Sequence, residues 1–217
     1  MRERPTMHHR RRHVRLLCIA VRNRRAAAVR RVQTVRMRST RGRLLLAGPN
    51  LQDPNFFRTV VLMIDHDESG ALGVVLNRPT DYPVTSALPS WAPFTSEPDV
   101  VFVGGPVAPE TAIALGRRTG TNEPADWSRV VGDIGMIDLD ATPLAGELVE
   151  VRVFAGYAGW APGQLEGELA ADAWLVLEAE MRDVTTAEPG ELWAEVLRRQ
   201  PGSLSLLAAY PDEPAWN

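Results

Sequence analysis

From Arg43 onward the chain is built of short apolar runs, rich in valine and leucine and broken by clusters of Gly, Pro, Asp and Asn. That punctuation predicts strands and turns, because runs this short bury a strand but do not sustain a long packed helix. The predicted strands are 44–47, 60–65, 71–76, 100–103, 111–115, 132–137, 149–154 and 173–178. Several are apolar throughout rather than alternating, so both of their faces are expected to be covered. Asp65-His66-Asp67-Glu68-Ser69-Gly70, between two of these runs, reads as a solvated hairpin tip in which Gly70 takes a positive φ.

Helices are fewer. Asp53 followed by Pro54 is a start signal for a short turn of helix over 53–58. Residues 162–171 open on a proline and place Leu165 and Leu169 on one face, and 188–199 is the strongest helix. There Pro189 and the acids Glu188 and Glu191 lie at the start, Leu192, Trp193, Val196 and Leu197 supply an apolar face, and Arg198-Arg199 end it. The helices do not alternate regularly with the strands, so the expected class is α+β in a single domain rather than a doubly wound sheet. The proline-rich stretch 79–98 reads as a long, mobile surface loop.

Charge divides the chain. Residues 1–43 hold fifteen arginines against Glu3 alone, whereas residues 44–217 hold nine arginines against 26 acids, a net of −17. The leader fails as a secretion signal. Arg15 and Arg22 bound a six-residue apolar run, 16–21, where such a signal needs about 7–15 residues, and no small-residue cleavage site follows. It would attract phosphate, yet 1–43 contains no aromatic residue to stack on a base. Its near-pure arginine composition favours untranslated upstream sequence, with translation starting near Met37 or Val35. The expected division is therefore a basic leader, disordered or mis-assigned, over 1–40 and a folded domain over 41–217. One cysteine, Cys18, forms no internal disulfide, and no apolar run reaches the roughly 18 residues of a membrane span. A soluble protein of the cytoplasm is expected, with no membrane partner.

Gly42-Arg43-Leu44-Leu45-Leu46-Ala47, Leu51-Gln52-Asp53-Pro54-Asn55-Phe56, Val60-Val61-Leu62, His66, and the segment from Gly70 to Asn77-Arg78-Pro79 together resemble the opening of the YqgE/AlgH family. Gly104-Gly105-Pro106-Val107 is similar to its glycine-glycine-proline-valine element. Residues 156–169, Gly-Tyr-Ala-Gly-Trp-Ala-Pro-Gly-Gln-Leu-Glu-Gly-Glu-Leu, resemble its most distinctive segment, with Trp174 following in place. The resemblance spans about residues 41–217 and has no counterpart for the leader. It implies an α+β fold with a branched, mixed β-sheet curled into a pseudo-barrel and a few short helices. Its functional implication is thin: one branch is described as a regulator of alginate production, a transcriptional role, and no catalytic residues or cofactor carry across.

The residues themselves offer little assembled chemistry. Asp65, His66, Asp67 and Glu68 are the densest set of metal donors, but neighbours on a strand point to opposite faces, so no metal site is expected. His66 is the only histidine outside the leader, leaving a single imidazole for any acid–base pair. No Gly-x-Ser-x-Gly elbow accompanies Ser69, Ser86, Ser90 or Ser96, and Cys18 lies in the doubtful leader. Gly104-Gly105-Pro106 lacks the spacing of a phosphate-binding loop, and Pro106 removes a donor.

Two places fit a ligand better. Asn77-Arg78 offers a guanidinium fork beside an amide, its alternative being a structural ion pair. Residues 157–168 combine aromatics, glycines and polar groups, which suits a groove or a structural corner equally. The candidate ligand-binding set is Asn77, Arg78, Gly104, Gly105, Tyr157, Trp160, Gln164 and Glu168, with no cofactor. The expected function is a non-enzymatic binding or regulatory protein working through a small ligand or protein partner. The alternative is an enzyme of unknown reaction with a cleft around Asn77, Arg78, Trp160 and Glu168, drawing on His66 turned inward. Nucleic acid is disfavoured for the acidic body and left only to the leader.

Overall fold

The computed structural model describes residues 39–49, 51, 53–120, 124, 126–143 and 147–209. The leader as far as residue 38, Cys18 included, lies outside the described residues. Among the described residues ten strands form one sheet: β1 (Arg43–Ala47), β2 (Val60–Asp67), β3 (Gly70–Val75), β4 (Pro79–Pro83), β5 (Val100–Val103), β6 (Val107–Arg118), β7 (Trp127–Val131), β8 (Ile134–Ile137), β9 (Leu148–Trp160) and β10 (Trp174–Glu178). Four short helices join them: α1 (Val84–Ala87), α2 (Gln164–Ala170), α3 (Met181–Val184) and α4 (Leu192–Arg198). All eight sequence-predicted strands are present, and the class is α+β as expected. Among the described residues no helix is long and apolar enough to cross a membrane.

The main path runs β10-β1-β2-β3-β9-β6-β8-β7, and the thirteen-residue β9 is its spine. Along one edge β9 pairs antiparallel with β6; along the other it pairs parallel with β5 at Phe154 and Ala155, then antiparallel with β3 at Ala158–Trp160. The sheet therefore branches and is mixed. Gly104 and Gly105 sit at the branch: a Cβ on Gly104 would lie 2.2 Å from the Gly156 carbonyl oxygen, and one on Gly105 would lie 2.2 Å from the Tyr157 backbone. Only glycine lets two backbones approach this closely. The sheet curls into a half-barrel, bringing the start of β1 to β7, where Arg41 Nη2 donates to the Arg129 carbonyl at 2.6 Å.

Curling gives the sheet one inner face and two outer patches, and each is covered. Leu44, Leu46, Leu62, Phe102, Leu115 and Phe154 point inward, where Val184 and the α4 residues Leu192, Trp193, Val196 and Leu197 fill the concavity. Leu45, Val61, Met63 and Val75 point the other way, beneath Trp160, Leu165 and Trp174. This is why the run Leu44-Leu45-Leu46 does not alternate: each side chain is fully buried, on one face or the other.

The stretch 79–98 is not a mobile surface loop. It contains β4, α1 and a 3₁₀ turn (Ala92–Phe94), and buries Val84 and Trp91 against the outer face of β6 and β9. Its prolines survive because β4 is an edge strand paired only with β5, so no second neighbour asks for the missing amides. Residues 53–58 form a hydrogen-bonded turn rather than a helix, with Asp53 accepting the Phe57 amide at 2.8 Å.

Candidate functional site

The structure divides the sequence-predicted ligand set. Tyr157 packs toward the inner core while Trp160 lies in the outer cluster, so the two aromatics face opposite sides of β9. Trp160 pairs with Ala71, six residues from Asn77 along β3 and its extension, a span of about 20 Å. Asn77 is buried and bridges two strands, accepting the Val60 amide at 2.9 Å and donating to the Arg58 carbonyl at 2.8 Å. Arg78 donates to the Phe57 carbonyl at 2.5 Å, and burial lowers its pKa. Gly104 spends its amide on the Ala155 carbonyl at 2.8 Å, so it offers no donor to a phosphate. Glu168 accepts both indole N–H groups, from Trp160 and Trp174, each at 2.8 Å, and its other oxygen accepts Gln164 Nε2 at 2.9 Å. These residues form a branch point and a corner, not one cleft.

His66 is not at a solvated tip. β2 runs on to Asp67, the turn is confined to Glu68 and Ser69, and His66 is only 6% exposed. The Thr40 amide and hydroxyl lie 3.1 and 2.9 Å from Nδ1, and Nε2 lies 2.8 Å from Glu166 Oε1. A backbone N–H always donates, so Nδ1 is the acceptor and Nε2 carries the proton given to Glu166. Thr40 is thereby tied to β2, and Ser39 Oγ adds a hydrogen bond to the His66 carbonyl at 2.9 Å.

Burial raises the Glu166 pKa, but its own backbone N–H and the His66 ring outweigh this and hold the carboxyl below its ordinary 4.5. A depressed folded pKa contributes stability that is complete above the ordinary value and lost as pH falls through the folded one. Glu166→Gln should therefore cost stability near neutrality and progressively less between about pH 5 and 3. Urea midpoints across that range test it, and a gap constant with pH would show that the pair does not titrate with unfolding.

Another place concentrates charge. Residues 44–217 hold only nine arginines, and four of them, Arg152, Arg182, Arg198 and Arg199, meet where α3 and α4 close the half-barrel. A cleft of about 540 Å³ is lined there by Arg182, Asp183, Thr185, Thr186, Glu195, Arg198 and Arg199. Asp183 forks Arg199, Oδ1 to Nη1 at 2.5 Å and Oδ2 to Nη2 at 2.7 Å, and this hydrogen bonding raises the arginine's pKa. Arg182 leans on Glu180 through Nε at 2.8 Å, while Arg198, more than half exposed, is held by Glu191 only at 3.7 Å. Arg152 lies behind the lining, 2% exposed, donating to the Thr186 carbonyl at 2.9 Å.

Sequence reasoning missed this cleft, because its residues carry no motif. The usable signal was an arginine inside the apolar run Val151-Arg152-Val153-Phe154. Among the described residues, no group of three or more His, Cys, Asp or Glu side chains comes together to hold a metal.

A family model described as AlgH-like matches residues 44–205. The chain belongs to that family. UPF0301 protein SCO2948 of Streptomyces coelicolor is 53% identical over 185 residues, covering 82% of this chain and 96% of the relative. A UPF0301 protein of Mycobacterium ulcerans is 46% identical over 181 residues, covering 81% and 90%. Two solved structures share the fold. The crystal structure of protein DIP2367 from Corynebacterium diphtheriae has a TM-score of 0.74 at 32% identity, covering 77% of this chain and 91% of that one. The solution structure of the AlgH protein from Pseudomonas aeruginosa has a TM-score of 0.59 at 26% identity, covering 86% and 100%.

Proposed function

We propose that this AlgH-like protein is a non-enzymatic binding protein of the cytoplasm that holds a small anionic ligand in the cleft between α3 and α4 and serves a regulatory role. One observation carries the reading: three arginines line a cleft of about 540 Å³ on a body whose net charge is −17. That volume lies in the range of small-molecule sites, roughly 300–1,000 Å³. Asp183 and Glu195 share that lining, so it is the guanidinium forks of Arg182 and Arg198, both mostly exposed, rather than a net positive field, that this reading offers to an anion. The lining consists of guanidinium, hydroxyl and carboxylate groups, and its buried carboxylate, Asp183, is already forked by Arg199. Those groups bind and orient; the imidazole of His66 is engaged elsewhere, by Thr40 and Glu166.

The transcriptional role described for one branch of the family would here pass through a protein partner, since 26 acids against nine arginines repel the phosphate backbone. Tyr82, Val103 and Val107, exposed on β4, β5 and β6, are the contact surface this reading assigns to that partner.

Thermal shifts against nucleotides, sugar phosphates and acyl carboxylates test the ligand. A ligand at 100 times its Kd adds about 2.7 kcal/mol, which for a chain of this size raises Tm by roughly 5–11 °C. The double variant Arg182→Ala/Arg198→Ala is expected to abolish the shift. A panel without a hit, or a shift the double variant keeps, would overturn the cleft as the site.

A further inference from the structure

Arg152 is among the largest fully buried side chains of the protein, set in β9 opposite Leu115 of β6 with its guanidinium over the Phe102 ring, 4.5 Å from the centroid. One nitrogen does all of its hydrogen bonding. Nη2 donates to the Glu97 carbonyl at 2.6 Å, the Thr186 carbonyl at 2.9 Å and Ser96 Oγ at 3.3 Å. Nε and Nη1 are sealed from solvent and have no acceptor. All three acceptors on Nη2 are neutral. Burial lowers the pKa to about 10, opposed by the charge of Glu150, so the group stays cationic at neutral pH.

A buried cation is costly unless an anion or a full set of acceptors answers it, and here three N–H donors, two on Nη1 and one on Nε, are left over. Thr186, whose carbonyl Arg152 holds, also lines the arginine cleft. We propose that Arg152 is the inner cation of that cleft, and that a ligand oxyanion, carboxylate or phosphate, reaches its Nη1–Nη2 edge when the segment Thr185-Thr186 shifts aside, replacing the Thr186 carbonyl on Nη2 and giving Nη1 the acceptor it lacks. This deepens the cleft reading and rests on it. The outer arginines attract the anion; Arg152, desolvated and already oriented by its Nη2 acceptors, selects a group with two oxygens placed to take its Nη1–Nη2 edge.

The test is a titration of the full chain with inorganic phosphate and, separately, with acetate, at ionic strength held constant with chloride, following Tm. The basic leader is common to every variant, so any anion it takes up cancels in the comparison between variants, which carries the result. Arg152→Met is expected to raise the half-saturating concentration at least tenfold for the better of the two anions, and Arg152→Lys, which keeps the charge without the planar donors, to fall between. The anion with the larger wild-type response identifies carboxylate or phosphate as the recognised group.

A response lost in Arg182→Ala/Arg198→Ala and intact in Arg152→Met would overturn the role of Arg152 and leave the cleft standing. A response unchanged in all variants would overturn both. Should Arg152→Met not fold, the Arg152 Nε–H resonance of the wild type, assigned by its loss in Arg152→Lys, decides: movement on adding the anion supports the proposal, and a static resonance while others shift overturns it.

Discussion

Replacing Asp183 by alanine is expected to lower stability by about 3–5 kcal/mol, the loss typical when one partner of a buried pair is removed. Asp183 is 2% exposed. Its carboxylate accepts both Arg199 Nη groups, and Oδ2 also accepts the Glu180 amide at 2.7 Å, closing a capping box at the start of α3. Alanine leaves Arg199 Nη1 and that amide without acceptors, while Nη2 keeps only the Glu178 carbonyl at 3.1 Å. The effect spreads because α3 and α4 fill the half-barrel through Val184, Leu192, Val196 and Leu197. Asp183→Asn keeps an acceptor but not the charge and should fall between. Urea unfolding at constant m measures both, and a loss below about 1 kcal/mol for alanine would place the pair with ordinary surface ion pairs.

Glu168→Ala is the second large effect, at about 2–4 kcal/mol. A single oxygen of this carboxylate holds Trp160 and Trp174, whose rings lie 5.9 Å apart and edge-on, with Phe56 against both. Alanine orphans two buried indole N–H groups, each costing about 1–3 kcal/mol. Glu168→Gln should cost less. Its carbonyl oxygen still serves the indoles, but its amide then faces the Gln164 amide, donor against donor. Tm and tryptophan emission report the two variants. Equal losses for alanine and glutamine would mean that charge, not acceptor geometry, holds the corner.

The strands were readable because burial on both faces leaves a direct mark in composition, as in Leu44-Leu45-Leu46 and Val60-Val61-Leu62-Met63-Ile64, all buried. The α4 helix was equally readable, since Leu192, Trp193, Val196 and Leu197 fall on its buried face. Two strands escaped. β4 is Pro-Thr-Asp-Tyr-Pro, a loop by composition that an edge position tolerates, and β7 carries partly exposed side chains that leave little apolar signal.

His66 was misplaced for a physical reason. Its polar neighbours suggested a loop, yet in an extended strand Asp65 and Asp67 turn outward together and leave His66 turned in toward Thr40 and Glu166. The glycine-rich motifs proved to be where backbones cross too closely for a Cβ, which a sequence cannot separate from a glycine kept for a ligand.

By itself the sequence determined the class, the strand runs, the closing helix and the family, because periodicity and burial act over a few neighbouring residues. Only the tertiary structure decided where charge converges. Arg152, Arg182, Arg198 and Arg199 come from one strand, two helices and the end of α4, and they meet because the sheet curls and α3 and α4 close over its end. The same curl sent Tyr157 and Trp160 to opposite faces. Local chemistry wrote the elements, and long-range closure chose which side chains share a site.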